Sequence, residues 1–485
     1  MFIGIDLGTS SVKMILCDKN GAVIKSVSRE YPISFPKEGY SEQNPEDWYT
    51  ETISALKELA DGYGDKIKAM SIAGQMHGLV MLDENDKVLR PAILWNDSRS
   101  VKECDYLNNI IGKRTLTEMT ANIAFSGFTA PKILWVKNNE GELFKKCRKI
   151  MLPKDYIVYR LTGEFVSEAS DASGLLLFDV KNKCYSKRML EICSVTEDML
   201  PVVKSSFEAC GVVKKDIASS LGWGEVVVAP GGGDNAAAAV GMGVVGESLS
   251  SISLGTSGTV FITSERFSVD EKNALHSFVH ADSNYHLMGC ILSAASCNKW
   301  FLEDILKSDD YFECEKATAD GENSVIFLPY LMGERSPHND PYARGVFAGM
   351  SMDTKRSDML KAVMEGVCYA LRDCVEIARE QGIEINQVRV CGGGAKSSLW
   401  CSVLANVLKV KVLKTNCSEG PSFGAALLAM VASGEYESVK EACDSLVKVV
   451  DCIDYNEAIS KKYDKGYARF KGLYESVKEW YRYEK

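Results

Sequence analysis

The chain opens on a nearly continuous apolar run, FIGIDL (residues 2–7), which breaks at GTSS and resumes as VKMILC (12–17). Two short apolar runs separated by Gly-Thr-Ser predict a β-hairpin with Gly8-Thr9-Ser10 at its tip. The pattern returns at SSISLGTSGTVFIT (250–263), where IDLGTSSVKMI and ISLGTSGTVFI share Leu-Gly-Thr-Ser at an offset of 247 residues in a chain of 485. One strand–turn–strand opening each half marks a duplicated two-lobe architecture, with the boundary expected between GMGVVG and SSISLG. The lobes are therefore read as residues 1–246 and 247–485.

The stretch NPEDWYTETISALKELADGYG predicts a helix. Asn44 is its cap, Pro45 stands at the first helical position, and Trp48, Ile53, Leu56 and Leu59 lie on one face until Gly62. Strands are expected over IKAMSIAG (67–74), RPAILWND (90–97), EVVVAP (225–230) and QVRVCGGG (387–394). Near the C-terminus Tyr463, Tyr467, Phe470, Tyr474, Val477 and Tyr481 recur at steps of three and four, as on a helix docked on its own domain. Alternating strands and helices indicate an α/β fold of at least two domains, since one core rarely serves this length.

Composition narrows the function. The residues are 46% hydrophobic and 25% charged, and the formal net charge is −10. That balance argues against a nucleic-acid or anionic-membrane surface. No uncharged apolar run reaches the length of a membrane span, and MFIGIDLGTSS does not resemble a signal peptide. The 16 cysteines form no Cys-x-x-Cys pair and no zinc-ligand cluster, so they are read as reduced thiols of a cytoplasmic protein.

Three glycine turns carry the candidate chemistry. The two Gly-Thr-Ser tips offer backbone N–H groups and hydroxyls, a cradle for phosphate oxygens. Facing each other across a cleft, they would hold a polyphosphate from both sides. The third turn, CGGGAKSSLW (391–400), follows an apolar strand and precedes a helix; its glycines either make a tight connection or admit a flat base and ribose. No GxxxxGK[ST] loop is present, and the GxGxxG string GMGVVG (241–246) precedes an apolar strand pattern rather than following one, so it is not a dinucleotide fingerprint. Asp6 stands two residues before the first cradle, where it would either satisfy turn amides or approach the phosphates through Mg²⁺. Asp234, in VVVAPGGGDNAAAAVG (226–241), is read either as a helix cap ahead of the alanines or as a catalytic carboxylate. His77 follows Gly74-Gln75-Met76 at the end of an apolar strand, and a lone histidine there is structural or ligand-contacting. Glu334 and Arg335 are read either as an internal ion pair tying a loop down or as having a catalytic task, and His276, His280 and His286 lack metal spacing.

These residues resemble the FGGY carbohydrate kinases of the actin/Hsp70-like ATPase superfamily. The shared strings include IGIDLGTS, IAGQMHG (72–78), RPAILWND, GFTAPKILWV (127–136), MLPKDY (151–156), GGGDNAAAAVG, SLGTSGT, LSAASC (292–297), FLPYLMGERSPHND (327–340) and CGGGAKS. The resemblance implies a duplicated two-lobe, ribonuclease H-like ATPase fold with a central cleft. It also implies direct ATP-dependent phosphorylation of D-xylulose to D-xylulose 5-phosphate, or of another ketopentose or polyol such as ribulose. In the same terms Asp234 is the general base. Met76 and His77 contact the sugar, with Trp95, Asn96, Asp97 and Asn235 as further wall residues. Asp6 is the Mg²⁺-associated aspartate, Thr9, Lys13, Gly255 and Thr256 hold phosphates, and Gly393, Gly394 and Ala395 hold adenosine. A homodimer is compatible with the family, while nucleic-acid and membrane partners are not implied. Two positions depart from the family pattern, Glu419 before Gly420-Pro421 and Asn298-Lys299 after Cys297. A nucleotide-switched binding protein of the actin kind shares the hairpin cradles but requires no acceptor base.

Overall fold

The computed structural model describes residues 1–311, 323–417 and 419–483. Two mixed β-sheets, each flanked by helices, make two α/β domains. The first sheet has six strands in the order Gly211–Val212, Val227–Gly233, Ala69–Gly74, Phe2–Leu7, Ser11–Cys17, Val23–Glu30. The second has seven, in the order His276–Val279, Tyr285–Ile291, Gly258–Ser264, Ser250–Leu254, Gln387–Cys391, Lys411–Thr415, Val449–Ile453. In each, a hairpin-forming strand is antiparallel to its partner on one side and begins a run of three parallel strands on the other. The repeated Leu-Gly-Thr-Ser therefore marks equivalent hairpins at the centre of both sheets.

Phe2–Leu7 is apolar along nearly its whole length because it is a central strand, covered on both faces. The helix Pro45–Leu59 starts as expected. Asn44 caps it by accepting from the Glu46 N–H, and Trp48, Leu56 and Leu59 enter the core. The aromatic stripe lies on the helix Glu457–Val477 and packs into the second domain's core. RPAILWND is not a strand over most of its length. Only Ala92–Ile93 pairs, with Glu42–Gln43, because Pro91 has no N–H to donate and Asp97 N–H closes a turn on the Leu94 carbonyl. All 15 described cysteines are free thiols, and among the described residues no helix is long and apolar enough to cross a membrane.

The two domains meet where the helices Asp234–Gly241 and Pro421–Ala432 cross. The second of these, although late in the chain, lies against the first sheet. A Cβ on Gly4 would collide with the Ser422 carbonyl, one on Gly424 with the Ala237 carbonyl, and one on Gly241 with the Gly420 carbonyl. Ala73, Ala237 and Ala425, one from each element, fill the remaining space and are fully buried. Small side chains let the backbones approach until main chain packs on main chain. A methyl group at Gly424 therefore has nowhere to go. Gly424→Ala is expected to lower the Tm by at least about 5 °C, measured by thermal unfolding; an unchanged Tm would mean that the crossing is looser than the structure shows.

Candidate active site

Asp234 begins a helix at the C-terminal end of the strand Val227–Gly233. The cap position belongs to Gly233, and Asp234 is the first helical residue, so the acid is not the N-cap. The three glycines before it have separate causes. Gly231 has φ +79° and sits in a break of register against Ala69–Gly74, where a Cβ would collide with Ile72. At Gly233 a Cβ would stand 3.0 Å from the Met76 Sδ. Gly232 has ordinary space around it. The glycines thus make room chiefly for neighbouring protein rather than for the sugar.

One Asp234 oxygen is tethered. Oδ1 accepts from the Asn235 N–H at 2.7 Å and from Asn235 Nδ2 at 2.8 Å; Oδ2 has no partner among the described residues. Burial pushes the carboxyl up to about 6, and only the two bonds from Asn235 oppose the rise. The position at a helix terminus therefore does not keep the acid in the ordinary carboxylate range. At pH 7 the carboxylate still leads by about tenfold.

Met76 and His77 close this corner. His77 is held at φ +68°, a left-handed backbone that a side-chain-bearing residue adopts only under constraint. The constraint is its carbonyl, which accepts from Lys132 Nζ at 2.9 Å and Thr129 Oγ1 at 3.1 Å. The ring stacks on Phe128 at 4.6 Å, and Nδ1 lies 2.9 Å from the Gly174 carbonyl. A carbonyl only accepts, so Nδ1 carries the proton and Nε2 is left as an acceptor. Burial, reinforced by the Lys132 charge, lowers the imidazole to about 3, so it stays neutral. Lys132, Thr129, Phe128 and Gly174 were not singled out in the sequence. The one local signal was a lysine in the otherwise apolar TAPKILW, whose ammonium is fully buried.

The other wall residues separate. Trp95 is 43% exposed and donates from Nε1 to the Thr9 hydroxyl at 2.9 Å, joining the wall to the first hairpin tip. Asn96 is exposed. Asp97 is buried and spent on Arg99, with its Oδ2 also accepting the Ser41 N–H at 2.6 Å. Glu334 and Arg335 make no close side-chain ion pair among the described residues, although the Arg335 charge acts weakly on the Glu334 carboxyl. Glu334 Oε1 accepts the N–H groups of Leu292 and Arg335, and burial pushes its carboxyl up to about 8.

Behind Asp234 lies a buried charge cluster. Lys154, fully covered, faces Asp155 at 2.7 Å, Glu168 at 3.5 Å and Asp171 at 3.7 Å. Ser170, between Glu168 and Asp171 in sequence, accepts the Gly233 N–H on its hydroxyl oxygen at 3.1 Å. The cluster holds the backbone beneath the base in place.

Asp6 pairs in register with Lys13 across the first hairpin. Burial and the Asp234 charge push its carboxyl up to about 7, so Asp6 feels the other acid of the cleft floor. Lys13 Nζ reaches Glu419 Oε2 of the other half at 2.8 Å. The departure at position 419 thus stands directly on the first cradle. Both side chains are partly exposed, so the pair contributes little stability and gives way readily to a stronger anion.

The second hairpin tip is backed by the segment after Leu292. The Gly255 carbonyl accepts the Ala295 N–H at 2.8 Å, and the Thr256 carbonyl accepts the Ala294 N–H at 2.9 Å. Beside it opens a cavity of about 830 Å³ lined by Gly255, Thr256, Asn298, Gly393, Gly394 and Trp400, among others. Gly392 and Gly394 pack against Leu254, whereas a Cβ on Gly393 would meet nothing. Ala395 is buried behind them. A second cavity of about 650 Å³ is lined by Asp234, Asn235, Gly255, Lys396, Gly420 and Pro421. Gly255 and Lys396 line both, so the acid and the glycine turn share one cleft. Lys396, exposed at that junction, was quoted in the sequence but not selected.

Residues 1–241 match the N-terminal domain of the FGGY family of carbohydrate kinases, and residues 250–433 match its C-terminal domain. A xylulose kinase of Escherichia coli K12 is 41% identical over 92% of this chain and 93% of its own. One from Bacillus subtilis is 37% identical over 98% and 97%. The solved structure of a xyloylose kinase from Brucella ovis superposes with a TM-score of 0.93, covering 98% of this chain and 99% of that one at 35% identity. A gluconate kinase from Lactobacillus acidophilus shares the fold, with a TM-score of 0.93 over 98% of each chain at 24% identity. Fold and cleft are those of an ATP-dependent sugar kinase with the actin/Hsp70-like architecture. The chain belongs to the FGGY family of carbohydrate kinases.

Two outcomes follow from this geometry. Below about 6 the Asp234 carboxyl takes a proton on its free oxygen, so an activity that uses it as a base should show kcat/KM falling about tenfold per unit there and levelling off above it. Initial rates across the range test this, and a profile flat through pH 6 would contradict it. Gly393→Leu should raise the KM for ATP about tenfold with an unchanged Tm, because the new side chain enters the cavity and not the core.

Proposed function

We propose that the protein phosphorylates D-xylulose to D-xylulose 5-phosphate, with Asp234 as general base. The observation that carries this reading is the split carboxylate. Oδ1 is tied to Asn235 while Oδ2 is free, on the wall of a cleft continuous with the glycine-turn cavity and beside Met76 and His77. Oδ2 takes the proton of the terminal hydroxyl as its oxygen attacks the γ-phosphorus, and ADP leaves with the bridging oxygen. His77 Nε2 accepts from a sugar hydroxyl, and Met76 offers an apolar wall. The first lobe, residues 1–246, supplies the sugar site and base, and the second, 247–485, the nucleotide site, in the cytoplasm. The choice of D-xylulose rests on the relatives named for it, since a gluconate kinase shares the fold.

The nucleotide half is read from the same cleft. Hairpin amides at Thr9 and Gly255–Thr256, together with Lys13 and Lys396, face the phosphates, and Gly393–Gly394 face the base and ribose. Binding of a polyphosphate draws Lys13 from Glu419. Mg²⁺ suits the donor set, because burial and the Asp234 charge raise Asp6 and a hard cation would favour its ionised form. Asp6 would hold it, and the ion would supply charge neutralisation of the polyphosphate. Every other group that acts on the sugar belongs to the chain.

ADP release from Mg·ATP should be greatest with D-xylulose among ketoses, aldoses and polyols. Asp234→Ala should lose about 10²- to 10⁴-fold in kcat. A different preferred ketose with an inactive variant would retain the mechanism and replace the substrate. An active Asp234→Ala would remove the base assignment.

A further inference from the structure

Several hydrogen-bond donors nearest His77 and Asp234 are already engaged within the protein. His77 Nδ1–H is spent on Gly174, leaving an acceptor; Asp234 Oδ2 is an acceptor. Trp95 Nε1–H is spent on Thr9, and Lys132 Nζ on the carbonyls of His77 and Gly127. Sugar hydroxyls can donate to such a site. The carbonyl oxygen of an open-chain ketose cannot, because it only accepts.

One donor-rich side chain reaches this corner from the other lobe. Arg335 stands on the segment Glu334–Asp340, whose ends exchange backbone hydrogen bonds at 2.8 Å. Ser336 N–H donates to the Cys290 carbonyl at 3.0 Å, and the Ser336 hydroxyl accepts the Cys290 N–H at 3.1 Å, anchoring the segment to the strand Tyr285–Ile291. The main chain is therefore fixed while the guanidinium has no hydrogen bond or ion pair among the described residues. Its carbon lies 5.8 Å from the Phe125 ring centroid. Phe125 meets Phe128 at 5.6 Å, and Phe128 stacks on His77. The charge is felt there: it contributes to the lowered basicity of both His77 and His276. A half-buried Arg with no ion pair among the described residues, lying over an aromatic ring, has guanidinium N–H groups to offer an external acceptor.

We propose that Arg335 is a substrate-binding and specificity residue, whose guanidinium donates to the carbonyl oxygen of the bound ketose opposite the acceptors His77 Nε2 and Asp234 Oδ2. This rests on the reading of the site as a ketose kinase site. It gives the two lobes a shared hold on the sugar, because His77 and Asp234 come from the first and Arg335 from the second. An alditol such as xylitol has a hydroxyl in place of the carbonyl, and that hydroxyl can satisfy an acceptor-rich site without the arginine.

The test compares kcat/KM for D-xylulose and xylitol in wild type, Arg335→Ala, Arg335→Lys and His77→Ala, with Tm recorded for each. Arg335→Ala should reduce the ketose-to-alditol ratio about 10- to 100-fold, and Arg335→Lys should recover part of it. His77→Ala should depress both substrates together. If Arg335→Ala lowers both substrates equally or neither, the proposal is overturned while the site stands, provided His77→Ala still raises KM. If wild type shows no ketose preference and His77→Ala has no effect, the reading of the site itself fails, and this proposal with it.

Discussion

The close crossing of Asp234–Gly241 over Pro421–Ala432 is the constraint on which the rest depends. The second helix belongs late in the chain yet lies on the first sheet, so the two halves share backbone packing at one point. Glycine and alanine there are not permissive filler. Gly4, Gly241 and Gly424 each face a carbonyl where a Cβ would fall inside it. The consequence is geometric. Both helices begin at the cleft, so Asp234 and the Gly420–Pro421 turn line the same cavity. Lys13 and Glu419, one on each side, meet across it.

Around that junction the site is built by satisfying some polar atoms and leaving chosen ones unsatisfied. Asn235 holds one oxygen of Asp234 and frees the other. Gly174 takes the His77 proton and fixes the tautomer; Lys132 and Thr129 hold the strained His77 backbone through its carbonyl. Burial lowers the histidine, which is therefore neutral at pH 7, and raises Asp234 only to about 6, so its carboxylate still predominates there. Lys154 among three buried carboxylates supports the floor from behind, where one positive charge does not balance three negative ones, and Asp171 is accordingly raised well above the ordinary carboxylate range by its burial.

Much of this was legible in the residue pattern. The hairpins at 2–17 and 250–264, the capped helix from Pro45 and the C-terminal aromatic stripe all follow from local periodicity and turn chemistry, which act over a few residues. RPAILWND misled because an apolar run predicts a strand only where a ladder partner is available, and Pro91 removes a donor. Asp234 could be placed at a helix start, but its ionisation could not be read there, because burial outweighs the terminal dipole. The expected pair between Glu334 and Arg335 also failed locally. Adjacent residues on this segment face different partners, the acid bonding backbone N–H groups and the arginine reaching an aromatic ring of the other lobe.

The sequence by itself determined the family, the duplicated hairpins, the acid after three glycines and the glycine turn, since each is a property of consecutive residues. Only the tertiary structure decided which glycine serves which neighbour, that Asp97 belongs to Arg99, that Lys132 holds His77, and that Arg335 lies over the Phe125 ring of the other lobe. Those are relations between residues tens to hundreds of positions apart. They depend on how two sheets and two crossing helices bring backbone to backbone, and no local pattern encodes the distance.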